Sequence, residues 1–262
     1  MRALSTAATG MAAQQLNVEV ISNNIANMNT VGFKRQRAEF QDLLYQDIER
    51  AGEQTSASGT IVPTGIQIGA GVKAGSVYRI TEQGSLTQTG NPLDLAIKGA
   101  GYFQVLMPDG SNAYTRAGNL SLDQNGQLVT PQGYVIQPQI TIPQGSTGIT
   151  VSPAGQVQVT APGSSTPTVI GQLTLANFTN EAGLEGQGDN LFTETAASGA
   201  AVLTNPGTTG AGTLMQGYTE ASNVDAVTEI TALITAQRAY EMNSKVVNAA
   251  DQMLATTSQL KS

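Results

Sequence analysis

The sequence predicts an α+β protein: long N- and C-terminal coiled-coil-like helices paired together, with an inserted mostly-β domain. Three observations carry that expectation. The carboxyl end holds apolar residues at heptad spacing, the amino end holds a matching stripe, and the region between them is cut into short strands by turn residues. The expected boundaries are residues 1–32 for the N-terminal helix of an inner helical domain and 33–89 for an extended linker and insertion. An outer all-β domain follows over 90–215, and the C-terminal helix over 216–262.

The carboxyl stripe is the longer of the two. One column reads Ala232, Ala239, Val246, Met253, Leu260 and the next reads Leu233, Tyr240, Val247, Leu254, with small Ala236 and Ala250 between them. Apolar residues repeating every seven form a line along a helix that needs a partner. Neither proline nor glycine interrupts residues 222–262, and Ser222-Asn-Val-Asp225 offers a capping box at the start. Such a rod would be about 60 Å long at 1.5 Å per residue.

The amino stripe places Leu4, Met11, Val18 and Ile25 every seven residues, with Ala8, Gln15, Ile21 and Met28 completing the seam over 3–28. A lone amphipathic helix on a globular core would explain it if the spacing were 3.6. The heptad spacing, and the matching stripe at the opposite end, favour pairing the two termini as a hairpin. Asn23, Asn24, Asn27 and Asn29 compete for backbone groups and end the helix, and Gly32 before Phe33 suits a left-handed backbone. With no carboxylates beside them, these amides are expected to satisfy backbone or bridge subunits rather than hold a metal or sugar.

Composition excludes several functions. The chain has 12 Lys plus Arg against 19 Asp plus Glu, a net charge of −7, which disfavours nucleic acid or an anionic membrane as the main partner. Charged residues are 12% of the total, about half the usual share, which suggests that much of the surface does not face bulk water. Histidine and cysteine are both absent, removing the usual general base, the thiolate nucleophile and the commonest transition-metal ligands. The reading is therefore no enzyme, no cofactor and no metal. No run of about 20 apolar residues is present, so no membrane insertion is expected. The first ten residues lack the apolar core of a cleaved signal, so any export is expected to use another route.

In the middle, Phe33-Lys-Arg-Gln-Arg37 is too short a basic run to read as a nucleic-acid site. Residues 38–50 have helical or extended potential, and Gly52 to Thr60 reads as an exposed loop. The glycines between Gly69 and Gly75 lack dinucleotide spacing and no helical pattern follows them. Pro108-Asp-Gly110, Asp123-Gln-Asn-Gly126 and Ser152-Pro-Ala-Gly155 are predicted turns, the last two in related frames that favour repeated hairpins. Asp123 and Asn125 resemble half of a calcium loop whose other ligands are missing. Glu181, Glu185, Asp189 and Glu194 are the other acidic grouping, expected to be solvated.

Longer motifs carry a family resemblance. The segment Ile21-Ser-Asn-Asn-Ile-Ala-Asn-Met-Asn-Thr-Val-Gly-Phe-Lys-Arg35 resembles the amino-terminal signature of bacterial flagellar rod and hook proteins, and Gln237 to Leu254 resembles their carboxyl-terminal signature. Gln88-Thr-Gly-Asn-Pro-Leu-Asp-Leu-Ala-Ile97, Gly101-Tyr-Phe-Gln-Val105 and Tyr114-Thr-Arg116 resemble the distal-rod branch. The resemblance implies a basal-body building block exported by the flagellar type III apparatus without a cleaved signal peptide. It implies a homo-oligomeric helical tube spanning the periplasm to the outer membrane. Proximal-rod and hook proteins would lie at its two ends and the peptidoglycan-ring and outer-membrane-ring proteins around it. Tyr45 to Gly65 resembles a rod-type insertion that locks neighbouring subunits.

Two other branches of the family, proximal rod and hook, share both terminal signatures. Outside the family, a hydrolase using Asp and Glu requires a cleft with carboxylates at catalytic spacing. A secreted carbohydrate-binding module requires a saturable ligand on residues 90–215. Neither accounts for two heptad stripes.

Overall fold

The computed structural model describes residues 2–49, 64–163, 166–208 and 210–259 and shows an α+β chain. Gly52 to Thr60, and Leu260 of the carboxyl stripe, lie outside the described residues. The chain divides into two compact units: one comprises residues 1–25, 36–78 and 225–262, the other residues 26–35 and 79–224.

The first unit is helical with two strand pairs. Helix α1 spans Arg2–Ala26 and helix α2 spans Ala226–Gln259. At 34 residues α2 is about 50 Å long. It starts three residues later than the Ser222 box predicts, because Asp225 is the cap: its Oδ1 accepts the Thr228 N–H at 2.8 Å and its carbonyl accepts the Glu229 N–H. Thr228, through its side chain first and then its backbone N–H, holds the exposed Asp225 carboxyl below the ordinary range. The stretch read as helical or extended is extended. Gln36–Asp42 pairs with Val72–Arg79, and Tyr45–Glu49 pairs antiparallel with Ile66–Gly69.

The second unit holds the apolar core. Its main sheet has seven strands in the order Glu185–Gly188, Leu191–Thr193, Asn112–Thr115, Phe103–Leu106, Val135–Gln137, Leu128–Val129, Ser121–Leu122, every neighbour antiparallel. A three-stranded sheet of Gly148–Val151, Gln156–Thr160 and Thr168–Gln172 packs with it. Phe103, Val105, Ile136, Val157, Leu173 and Leu175 are fully enclosed between these layers. Each such side chain contributes about 1.5–3 kcal/mol by leaving water.

The repeated hairpins are one turn used four times. At residues 107–111, 123–127, 130–134 and 152–156 the first residue and the fifth share a backbone bond, and the N–H of a glycine in fourth place returns to the first carbonyl, all at 2.8–3.0 Å. These glycines have φ between 79° and 91°, the type I turn with a left-handed bulge residue that joins antiparallel strands. In three of them the first side chain also accepts the fifth N–H: Asp123 from Gln127, Thr130 from Tyr134 and Ser152 from Gln156. The Asp123 carboxylate is thus engaged by its own turn.

Gly126 and Gly110 separate two costs. An added Cβ at Gly110 meets nothing within 4 Å, whereas at Gly126 it would fall 2.3 Å from the Ile142 carbonyl oxygen. Gly110→Ala is expected to lose about 1–2 kcal/mol from left-handed strain alone. Gly126→Ala is expected to lose at least about 1 kcal/mol more, because Ile142 must withdraw and its N–H bond to the Gly126 carbonyl goes with it. Urea midpoints of the two variants check the order; equal midpoints would refute it.

Candidate functional site

Two places in the molecule concentrate polar or unpartnered groups: the faces of the two helices and a buried ion-pair knot in the β unit. On the helices, the contact between α1 and α2 uses small and polar side chains. Asn24, 1% exposed, donates to the Glu229 carboxylate at 3.1 Å and to the Gln36 carbonyl at 2.8 Å, and its Oδ1 accepts the Gln36 N–H at 2.8 Å. Near the other end, α2 runs so close to α1 that a Cβ on Gly10 would lie 2.8 Å from the Asn243 amide. The buried residues on α1 are Ala7, Ala13, Val20, Ile21 and Asn24; on α2 they are Glu229, Ala236 and Ala250. A groove of about 690 Å³ runs between the helices, lined among others by Gln14, Asn17, Val227, Thr231 and Ala232.

The predicted seam residues divide by exposure. Ile21 and Ala236 are buried, while Leu4, Met11, Val18, Ile25, Leu233 and Val247 are half-buried. Tyr240, Val246, Met253 and Leu254 are exposed, and so are Val227, Ile230, Ile234 and Met242, which the heptad columns leave out. No large apolar side chain among the described residues of α2 is buried. α2 thus buries two alanines and leaves most of its large apolar side chains exposed. The exit motif is more tightly used: Asn27 accepts the Thr30 hydroxyl at 3.1 Å, Asn23 and Asn29 are exposed, and Phe33 is half-buried. Gly32 has φ 71°, and a Cβ there would press within 2.9 Å of the backbone at Arg116 and Ala117.

The knot centres on Glu220, 1% exposed. Its Oε1 accepts Lys34 Nζ at 2.6 Å and the Gly84 N–H at 3.0 Å, and its Oε2 accepts Arg116 Nε at 2.7 Å. Both cations are themselves 3% exposed. Lys34 also donates to the Glu82 carbonyl at 2.8 Å, and Arg116 to the carbonyls of Gly101 at 3.0 Å and Gly99 at 2.8 Å. Burial alone would raise the Glu220 carboxyl; the Arg116 charge, then the bond and charge of Lys34, outweigh it and hold it below the ordinary glutamate range. Lys34 is pulled below the usual lysine range by burial and by its neighbour Arg116. The carboxylate is therefore the group that gains from the cluster.

Sequence reading missed this knot. Lys34 sits in a basic run of which Arg37 is exposed, and nothing in Glu220-Ala-Ser-Asn223 marks a buried acid whose partner lies 186 positions away. The available signals were Lys34 inside the Ile21–Arg35 signature and Arg116 inside the Tyr114-Thr-Arg116 motif. Of the acidic grouping, Glu185, Asp189 and Glu194 are exposed, as expected, and Glu181 is half-buried. Glu181 accepts the Tyr102 hydroxyl at 3.1 Å and Glu194 the Tyr114 hydroxyl at 3.3 Å. Burial first, then the neighbouring carboxylates, raise both phenols, Tyr114 to about 12.

Comparison with known proteins places these regions. The family model described as Flagella basal body rod protein matches residues 4–34, and Flagellar hook protein FlgE/F/G D1 domain matches 96–159. Flagellar basal body rod FlgEFG protein C-terminal matches 215–260. Each of the three matches contributes one member of the triad: Lys34, Arg116 and Glu220. The flagellar basal-body rod protein FlgG of Caulobacter vibrioides is 71% identical over all of both chains. That of Agrobacterium fabrum is 54% identical over 99% of each. The Bacillus subtilis protein of the same name is 40% identical over all of this chain and 99% of its own. With matches at both helices and across the β unit, and relatives aligned from end to end, the chain belongs to the family of flagellar basal-body rod proteins named FlgG.

Proposed function

We propose that this chain is a structural subunit of the distal flagellar rod, assembling with copies of itself into a hollow helical tube that carries torque from motor to hook. The observation that carries the reading is the exposed apolar face of α2 in a chain whose β unit has a closed core of its own. One surface that meets a different surface on the next copy, repeated around a screw axis, builds an open filament. The terminal helices act as a coiled-coil-like pair at the inside of the tube, joined by Asn24 and Glu229 and by the close approach at Gly10. The strand pair Tyr45–Glu49 and Ile66–Gly69 displays Tyr45, Ile48, Ile66 and Ile68, with Leu44 exposed just before it, which suits a segment that locks neighbouring subunits. Proximal-rod and hook proteins meet the two ends, ring proteins surround the shaft, and the type III apparatus delivers the chain. Among the described residues no helix is long and apolar enough to cross a membrane.

Electron microscopy and sedimentation of the full chain, beside a chain lacking residues 226–262, test this. The full chain is expected to form straight tubes and the shortened chain to stay monomeric. Compact monomers from both would remove the assembly reading, and the β unit would then be tested for a ligand.

A further inference from the structure

Every covalent path into the β unit passes through the Glu220 knot. The chain enters or leaves this unit at 25–26, 35–36, 78–79 and 224–225. The ends belong to three segments, and the knot ties all of them. Arg35 N–H donates to Asn223 Oδ1 at 2.7 Å, Ile80 N–H donates to the Arg35 carbonyl at 2.8 Å, and the Asn223 amide donates to the carbonyls of Ile80 and Glu82. Lys34 joins the first segment to the second at Glu82 and to the third at Glu220. Gly84 N–H and Ala221 N–H close the second onto the third, so tightly that a Cβ on Gly84 would fall 1.9 Å from the Ala221 carbonyl oxygen. Arg79 adds a bond to the Leu184 carbonyl at 2.8 Å and lies 4.8 Å over the Phe192 ring.

The knot is held by charge and amides, the core beside it by apolar burial. Proteins open in contiguous cooperative units, and a region with few buried apolar contacts opens at lower free energy than an apolar core. We propose that the knot is a torsional lock, opening independently of the core, that fixes the register of the three segments and passes force arriving along the backbone from either helix into the β unit. The force-transmitting part rests on the rod reading above; the independent opening does not.

Hydrogen exchange on the full-length chain and on its Asn223→Ala and Glu220→Gln variants tests the lock. Residues 32–35, 80–85 and 220–224 are expected to exchange roughly ten- to a hundredfold faster in the variants, the factor that one lost charged or buried bond supplies. Strand Phe103–Leu106 is expected to accelerate clearly less than these segments. Unchanged exchange in all three segments, or equal acceleration in segments and core, overturns the proposal. Should Glu220→Gln not fold, Asn223→Ala, which leaves the ion pairs in place, decides alone. In cells whose only copy is Asn223→Ala, flagella are expected in normal number, with swimming lost selectively in viscous medium. Normal swimming under load despite an opened lock overturns force transmission. A wild-type chain that forms no tubes removes the rod reading, while the exchange result still stands on its own.

Discussion

Glu220→Ala is expected to destabilise the folded chain by about 3–5 kcal/mol, the cost of stranding buried charges without their counter-ion. The substitution leaves Lys34 and Arg116, both 3% exposed, facing each other across an empty site, and it removes the acceptor of the Gly84 N–H. Glu220→Gln keeps the shape and one acceptor oxygen, so it is expected to cost less. Replacing all three members by apolar residues is not expected to be neutral here. It would orphan the carbonyls of Gly99 and Gly101 that Arg116 now satisfies, and would leave that of Glu82 with the Asn223 amide alone. Urea unfolding followed by circular dichroism, at concentrations where the chain is monomeric, reads these losses. A Glu220→Ala midpoint equal to wild type would show that the knot is not a structural element.

The same residue gives the acid limb of stability. The Glu220 carboxyl titrates lower in the folded chain than in the unfolded one, so between the two values the unfolded chain binds more protons. Its contribution is complete above the unfolded value of about 4.3. It is lost as pH falls through the depressed folded value. Glu220→Gln is therefore expected to be less stable than wild type at neutral pH and to converge on it in acid.

How much of this was legible follows from the range of each interaction. The turns at 107–111, 123–127 and 152–156 could be read because a glycine and its neighbours specify them within five residues. The long helices could be read because their spacing is local and repeats. The covered face of α2 could be read only in part: Ala236 and Ala250, set between the heptad columns, are its buried alanines, but that Val246 and Met253 of the columns stay exposed could not be foreseen. Nor could the extended conformation of 36–49, where Phe40, Leu43 and Ile48 fit either period. The knot was hidden for a third reason: a buried ion pair between distant positions has no local pattern at all. Its members differ from solvated Lys and Glu only in what the fold brings around them.

Met242→Glu, Val246→Glu and Met253→Glu combined are expected to abolish tube formation while leaving the monomer within about 0.5 kcal/mol of wild type, as surface substitutions do. The three side chains are 60%, 47% and 63% exposed, so the isolated chain gains little from them. Steps of four and seven residues keep them within about 40° of one another around the helix, on one displayed line. If that line is the seam, each side chain contributes about 1.5–3 kcal/mol per contact. A carboxylate in its place both forfeits that burial and must be desolvated beside identical charges on neighbouring subunits. Three glutamines at the same positions are expected to weaken assembly less, because they lose the burial without adding charge. Sedimentation of the wild-type, glutamine and glutamate chains should therefore fall in that order, with urea midpoints of the monomers unchanged. Tubes that survive the glutamate variant would move the seam to another face of α2, where Ile230, Ile234 and Tyr240 are the next exposed apolar side chains to change.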